Sequence, residues 1–441
     1  MKRLLSLLLC AVLALFCATT VQAASVSITL TASEYALHYA FDAGAQDPFV
    51  ILEYATPAEK GWMMLYSADG HFEGDVSLAY SGAGGETSVA LTSARTTGSI
   101  GKASTTLPKA ADYQKPTGKS NAKVTDFVLT ETPEGFHYAF NAAGTDYMLL
   151  YWRSKEQTVT QPVYPDENGH YEGDVISDLT FARTQFTVQV KSGSGSMKKE
   201  ATVRKGYQAP QAPQRQEGRL SGVTVCIDAG HQENGRFVNE PIGPGLSGST
   251  SGKGGMAQGT KTNRRESIVC LEIGMLLRDE LLRQGANVIM TREDQTTFHT
   301  NIERCEIAEA GGAQIMLRLH CNNSSNRSKR GIQVYGPLNS DYAKAVADAD
   351  TYREMGQKLL DAMKTRVGMT LANSTGMVRL NDNYVGNNWA KMMCFLVEMG
   401  YLSNPAEEYL LVTPVYQQWL AEGMADGVYE IAVARGWVQA Q

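Results

Sequence analysis

The sequence predicts a multidomain protein in which two tandem all-β sandwich modules precede an α/β domain with a mostly parallel, twisted sheet flanked by helices. Three observations support this fold class. The N-terminal half contains an internal repeat, and segments rich in Pro separate the parts. Near Gly222 the hydrophobic pattern changes from the alternation typical of strands to a mixture of strand and helix spacing.

The internal repeat consists of two pairs of similar segments at one offset. Residues 37–41 (LHYAF) match 136–140 (FHYAF), and residues 70–76 (GHFEGDV) match 169–175 (GHYEGDV). Within each copy, short stretches alternate between apolar and polar residues and are separated by Gly, Asn, Asp and Ser, which is the pattern of half-buried antiparallel strands. Each copy is therefore predicted to form one small β-sandwich.

Segments typical of linkers separate these predicted modules. Residues 107–120 lie between the repeats, and residues 207–219, rich in Pro and Gln, follow the second repeat. The predicted division is a signal peptide at 1–23, β-sandwich repeat 1 at 24–108, β-sandwich repeat 2 at 121–206, a Pro/Gln-rich linker at 207–219 and the α/β domain at 220–441.

The first residues have the layout of a secretory signal peptide. Lys2 and Arg3 precede an apolar run over 4–16, and small residues surround Ala23. The run is too short to span a bilayer, so we expect an extracellular or periplasmic protein with no membrane span. The formal net charge of −6 provides no basic footprint, so we expect no nucleic-acid partner.

The cysteines beyond the predicted signal peptide do not suggest a disulfide framework. They are odd in number, none is spaced as C-x-x-C, and several have apolar neighbours. Buried small side chains are the favoured interpretation, with disulfides or metal thiolates as alternatives. The cysteines concerned are Cys226, Cys270, Cys305, Cys321 and Cys394.

From Gly222 onward, predicted strands alternate with predicted helices. The strands are 223–227, 287–291, 314–320 and 392–398, and the helices are 266–284, 301–310, 342–366 and 415–434. Such alternation favours a mostly parallel sheet covered by helices on both faces.

Four polar residues lie at the ends of these elements: His231 and His320 at strand ends, Glu398 at the end of the last strand, and Glu266 at the start of a helix. Ligands of open α/β sheets gather at the carboxyl ends of the strands. Two imidazoles and a carboxylate are a recognised catalytic zinc set. The pattern predicts Zn²⁺ on His231, Glu266 and His320. Glu398 is then the predicted catalytic carboxylate, which takes the proton of an activated water.

Each of these residues also has a structural interpretation. A histidine at a strand end is usually a hydrogen-bonded structural residue, and Glu266 is also explained as an acid that complements the helix dipole. Glu398 directly follows apolar residues and needs a partner once it is buried. The combination favours the metal site, and His299, in a loop, is left outside it.

The same residues lie in segments that resemble the zinc-dependent N-acetylmuramoyl-L-alanine amidases of the amidase 3 type. The segments are VCIDAGH at 225–231, RE at 265–266, RLHCN at 318–322 and VEMGYLSN at 397–404. Thr291, Arg292, Asp294 and Arg304 also match the family pattern. Departures from the residues usual in the family are Ala229 for proline, Gln232 for glycine and Cys321 for alanine. The likeness covers roughly Gly222 to Trp437.

This resemblance implies a peptidoglycan (cell wall) hydrolase with Zn²⁺ as cofactor. It implies cleavage of the amide between N-acetylmuramic acid and the L-alanine of the stem peptide, by a secreted, cell-wall-associated protein. Two alternatives stay open at this point. A zinc peptidase acting on stem peptides would use the same ligands, and a non-catalytic wall-binding protein would keep the repeats.

Two regions carry further hypotheses. The Gly- and Ser-rich segment 233–262 is interpreted as a lid over the metal or as a disordered insertion. The repeats contain aromatic residues that look exposed, which favours glycan or cell-wall binding; core packing and a spacer role are the alternatives. These aromatics are Tyr39, Trp62, Tyr66, Tyr138, Tyr151 and Trp152.

Overall fold

The computed structural model describes most of the chain. The described residues are 26–34, 36–78, 81–111, 123–132, 135–143, 148–153, 158–176, 185–191, 197–204, 210–232, 238–250, 255–262, 264–368 and 378–440. The predicted signal peptide at 1–23 lies outside them, as do most of the segment predicted to link the repeats and part of segment 233–262.

The N-terminal region is all-β, as the alternating pattern predicts. Its strands are β1 Thr29–Ser33, β2 Ala36–Asp42, β3 Phe49–Ala55, β4 Glu59–Tyr66, β5 His71–Ser77, β6 Gly85–Ser93, β7 Ser99–Leu107, β8 Lys123–Thr132, β9 Gly135–Ala143, β10 Met148–Arg153, β11 Thr158–Val163, β12 His170–Ile176, β13 Gln185–Lys191 and β14 Met197–Arg204.

These strands form three sheets, and one of them crosses the boundary between the repeats. The sheets have the orders β1-β2-β5, β12-β9-β8 and β14-β13-β10-β11-β4-β3-β6-β7. The eight-stranded sheet is continuous because Thr158 and Val159 of β11 pair with Lys60 and Glu59 of β4. Each repeat has its own apolar core, while the division into two separate sandwich modules stays a prediction.

Three of the six aromatics predicted to look exposed are buried. Tyr39, Tyr138 and Trp152 are 6%, 6% and 0% exposed and belong to the cores of the repeats. Strand periodicity explains this result, because Tyr39 and Tyr138 occupy the inward positions of β2 and β9. Tyr66 is 44% exposed. The expectation of an exposed aromatic surface is therefore wrong for the three buried residues.

The C-terminal region is an α/β domain. Its strands are β15 Thr224–Ala229, β16 Asn287–Met290, β17 Ile315–Asn322, β18 Gln333–Gly336, β19 Val378–Leu380 and β20 Met393–Tyr401. Its described helices are α1 Glu266–Arg283, α2 Asn301–Ala310, α3 Asp341–Val346, α4 Ala349–Val367, α5 Val385–Trp389, α6 Glu407–Leu410 and α7 Pro414–Ala434. None of the described helices combines the length and apolarity needed to cross a membrane.

The six strands form one mixed sheet in the order β16-β15-β17-β20-β18-β19. All neighbouring pairs are parallel except β18 with β20. The predicted strands lie within a few residues of the observed ones, whereas β18 and β19 were not predicted. The prediction of a single helix over 342–366 is wrong, because helix α3 ends at Val346 and Ala347 is extended. Helix α4 then begins after Asp348, whose side chain accepts a hydrogen bond from the Thr351 amide as the N-cap.

Two further expectations concern the linker and the cysteines. The described part of the predicted linker, 210–219, contacts the α/β domain, because Arg278 donates to the Pro210 carbonyl and the Gln216 amide donates to the Leu282 carbonyl.

The favoured interpretation of the cysteines is confirmed, since all five are buried free thiols: Cys226, Cys270, Cys305, Cys321 and Cys394.

Candidate metal centre

The structure brings the three predicted metal ligands together. Glu266 Oε1 lies 2.9 Å from His320 Nδ1, and Glu266 Oε2 lies 3.2 Å from His231 Nε2. One candidate ligand atom from each residue lies within 4.8 Å of the others, and within the described parts of the chain no other group of His, Cys, Asp and Glu has this geometry. The arrangement has the donor types of a catalytic zinc site, with two imidazole nitrogens and a carboxylate.

The ends of three elements position these side chains. His231 follows β15 in the left-handed backbone region at φ 58°, while His320 lies near the end of β17 and Glu266 begins α1. The turn after β15 approaches β17 closely, since a Cβ on Gly230 would lie 2.5 Å from the Leu319 carbonyl oxygen and 2.7 Å from His320 Nε2. Glycine at this position therefore allows the two histidines to meet.

Two backbone amides orient the Glu266 carboxylate. Ala257 N donates to Oε2 at 2.8 Å, and Cys321 N donates to Oε1 at 3.0 Å. Burial alone would raise the pKa of Glu266, but hydrogen bonds to His231 and His320 outweigh it and hold the pKa below its usual range. Glu266 is thus held as a carboxylate, the form that binds a cation.

The protonation and the hydrogen bonding of these side chains favour the binding of a cation. Burial lowers the pKa of His320 and favours its neutral, metal-binding form. Among the described atoms, the buried His320 Nε2 and Glu398 Oε2 have no hydrogen-bond partner. The residues present therefore fit a zinc ion in donor type and proximity.

Glu398 lies directly beside the predicted ligands. It pairs in register with His320, because β20 runs parallel to β17. Burial and the negative charge of Glu266 raise the pKa of Glu398 to about 8. A carboxyl group with a raised pKa is suited to exchanging a proton near neutral pH.

A buried ion cluster lies beneath the turn that carries His231. Asp228 is fully buried and accepts hydrogen bonds from Arg304, from Arg318 Nε at 2.9 Å and from Thr291 Oγ1 at 2.8 Å. Arg304 Nη2 also donates to the His231 carbonyl at 3.3 Å. The cluster fixes the strand end and the left-handed turn with charge-assisted hydrogen bonds.

A cavity of about 660 Å³ opens over the three predicted metal ligands and Glu398. Such a volume is in the range of small-molecule sites. The described parts of segment 233–262 form one of its walls through Val238, Glu240, Thr250 and residues 255–257. They are anchored, since Glu240 accepts hydrogen bonds from the backbone amides of Asn301 and Ile302.

The side chains of His231 and His320 are 25% and 14% exposed, so the described wall leaves them accessible.

Several residues of the cavity were not predicted. His299, which lies outside the predicted metal site, lines the cavity, and so do Phe298, Asn383 and Tyr384. One available signal was the capping box of Thr300 and Glu303, which fixes the start of α2 directly after His299. The position of Tyr384 depends on the unpredicted strands β18 and β19, so the sequence held no comparable signal for it.

The fold and the site define an α/β domain whose candidate metal-binding cluster lies at the carboxyl ends of parallel strands. Residues 225–430 match the family model described as N-acetylmuramoyl-L-alanine amidase. The C-terminal domain is therefore an N-acetylmuramoyl-L-alanine amidase domain of the amidase 3 type.

Known proteins resemble the same half of the chain. The germination-specific N-acetylmuramoyl-L-alanine amidase of Bacillus subtilis is 26% identical over 231 residues, which cover 49% of this chain and 83% of that protein. The probable cell wall amidase LytH of Staphylococcus aureus is 27% identical over 218 residues, which cover 48% of this chain and 60% of LytH. The crystal structure of an N-acetylmuramoyl-L-alanine amidase from Clostridium difficile 630 has 23% identity and a TM-score of 0.38, and the match covers 48% of this chain and 96% of that one.

Proposed function

We propose that the chain is a zinc-dependent peptidoglycan amidase that cleaves the bond between N-acetylmuramic acid and the L-alanine of the stem peptide. The observation that carries this proposal is the convergence of His231, Glu266 and His320 beside the buried Glu398. The family match at residues 225–430 supports the identity of the bond that we propose is cleaved.

The proposed chemistry divides between the cofactor and the protein. Zinc held by His231, Glu266 and His320 supplies polarisation of the scissile carbonyl and acidification of a water molecule. Glu398 accepts the proton of the attacking water and passes it to the leaving nitrogen of L-alanine, so that the amide C–N bond breaks. The products are the lactyl carboxylate of the glycan strand and a stem peptide with a free N-terminal amine.

The cavity is consistent with a polar, extended substrate. Asn322, Asn323 and Asn383 line it together with Tyr384, and these side chains offer hydrogen-bond donors and acceptors to amides and sugar hydroxyls. The names of the relatives, a cell wall amidase and a germination-specific amidase, support action on the wall. We infer a protein that is exported and acts at the cell wall.

For the N-terminal repeats we propose wall binding, which would raise the local concentration of the amidase by tethering. The burial of Tyr39, Tyr138 and Trp152 removes these rings as candidates for stacking on sugars. Any glycan contact would therefore use other residues of the repeats.

Mass spectrometry of digested peptidoglycan tests the proposed activity. The full chain, loaded with zinc, is expected to release intact stem peptides that begin with a free L-alanine amine. A chelator is expected to abolish release, and added zinc is expected to restore it, because coordination of the ion by the three side chains is reversible.

The products also distinguish the alternatives. Cleavage between residues of the stem peptide, with the muramoyl–alanine bond intact, would show a peptidase. Binding to the wall with no release of fragments, by a protein that holds zinc, would show a non-catalytic wall protein. Either result would overturn the proposed amidase.

A further inference from the structure

The short helix α6 carries two consecutive buried glutamates that the proposed mechanism does not use. Glu407 and Glu408 are 3% and 0% exposed. A buried carboxylate is costly unless it is hydrogen-bonded, so the groups that each of them accepts from define what it does.

Glu407 joins the strand that carries Glu398 to the neighbouring strand β18. Its Oε2 accepts from the Tyr401 amide at 2.8 Å, and its Oε1 accepts from the Gly331 amide at 2.8 Å. Tyr401 ends β20, the strand of Glu398, and Gly331 lies just before β18, in which Gln333 pairs with Glu398. Glu407 therefore fixes the position of β18 relative to β20, the strand that carries Glu398.

Glu408 holds the segment that orients Glu266. It accepts from the amides of Lys261 and Thr262 at 2.8 and 3.1 Å and from Thr260 Oγ1 at 3.0 Å. The same segment, residues 255–262, presents the Ala257 amide to Glu266 Oε2. Helix α6 thus contacts the supports of both the catalytic carboxylate and a predicted metal ligand.

The next residue of α6 contacts the first β-repeat. The ring centroids of Tyr409 and of Trp62 on β4 lie 4.5 Å apart. The Tyr409 hydroxyl donates to Glu53 Oε1 on β3 at 3.3 Å. A second contact lies beside Gly331, where the Arg330 guanidinium donates to the carbonyls of Ala94 and Arg95. The first repeat therefore contacts helix α6, which carries Glu407, and Arg330, the neighbour of the Gly331 amide that Glu407 accepts from.

We propose that Glu407 and Glu408 are positioning residues through which the docked first β-repeat supports the active site. Glu407 positions Glu398, and Glu408 positions Glu266. The first repeat is then a structural part of the catalytic unit as well as a candidate tether. This inference deepens the proposed function and rests on it for the role of Glu398.

The two glutamates are expected to give different signatures when each is replaced in the full chain. Glu407 accepts its two backbone N–H groups on different oxygens, so the NH₂ group of a glutamine there would face one of these donors. Both backbone amides that bind Glu408 donate to its Oε2, and Glu408→Gln removes the negative charge that strengthens these hydrogen bonds. Glu407→Gln is expected to lower kcat on a small soluble muramoyl peptide about tenfold, with KM and the zinc affinity of the metal-free protein unchanged. Glu408→Gln is expected to weaken zinc affinity about tenfold, read by titration of zinc into metal-free protein.

Trp62→Ala removes the ring that packs on Tyr409 and leaves the sequence of the α/β domain unchanged, so it tests the contribution of the first repeat. A tether has no effect on a small soluble substrate, so a fall in kcat on that substrate identifies positioning. Trp62→Ala also serves if Glu407→Gln fails to fold. Glu309→Gln, the same change at an exposed ion pair with Lys391, is the matched control and is expected to leave kcat and zinc affinity unchanged.

Folded Glu407→Gln and Glu408→Gln proteins with wild-type kcat and zinc affinity would overturn this inference, even if both melt at lower temperature. A wild-type chain that releases no amidase product would instead contradict the proposed function. The zinc titration of Glu408→Gln still decides the inference in that case, because it requires no turnover.

Discussion

Glu398→Gln is expected to bind zinc as the wild-type chain does and to release stem peptides about 10²- to 10⁴-fold more slowly. Glutamine has nearly the same shape but cannot accept the proton of the attacking water. Glu398 is outside the His231, Glu266 and His320 group, so the change leaves the three predicted ligands intact. Product release is measured by mass spectrometry, and metal content on the same preparation.

Asp350→Asn is a suitable control for this experiment, because it changes an exposed carboxylate of α4 to its amide. It is expected to keep full activity and full metal content. Wild-type rates of release by Glu398→Gln would show that another group moves the proton. Loss of zinc from this variant would instead place Glu398 among the ligands.

Asp228→Asn is expected to have the largest effect on stability, lowering the free energy of unfolding by about 3–5 kcal/mol. The change leaves Arg304 and Arg318, each about 5% exposed at the side chain, without their shared carboxylate. Arg304 also donates to the carbonyl of His231, so zinc affinity is expected to fall with stability. Guanidinium denaturation measures the first effect and zinc titration the second.

The pH dependence of this contribution has a defined sign. Burial would raise the pKa of Asp228, but the charges of Arg304 and Arg318 outweigh it and hold the folded-state pKa below the ordinary value of 3.8. The stabilisation is therefore complete above that value and is lost as the pH falls below it. Asp350→Asn removes only an exposed pair with Arg353 and is expected to cost less than about 1 kcal/mol. An equally small cost for Asp228→Asn would contradict the structural role of the cluster.

The sequence predicted the location of the site because the apolar pattern of the strands shows where each strand ends. Buried parallel strands are continuous apolar runs, and the polar residues that end them must meet at one edge of the sheet. His320 and Glu398 follow this rule and pair in register. A helix-initiating acid alone is explained by the helix dipole, so the prediction of Glu266 depended on its combination with the two histidines, and the family resemblance supported it.

What the sequence did not predict depends on tertiary contacts. Strands β18 and β19 are short, and the antiparallel pairing of β18 has no local signal. The eight-stranded sheet arises from pairing between strand edges of the two repeats. Trp62 and Tyr409 are distant in sequence, so their contact followed only from the structure.

The metal content of the purified chain tests the central claim most directly. Metal-free protein titrated with zinc is expected to take up a single ion per chain, in the wild type and in Glu398→Gln alike, whereas His231→Ala and His320→Ala are expected to lose that ion. The ion taken up is expected to restore amide hydrolysis in the wild type only. Retention of zinc at wild-type affinity by folded His320→Ala protein, or full activity of metal-free wild-type protein, would contradict this assignment.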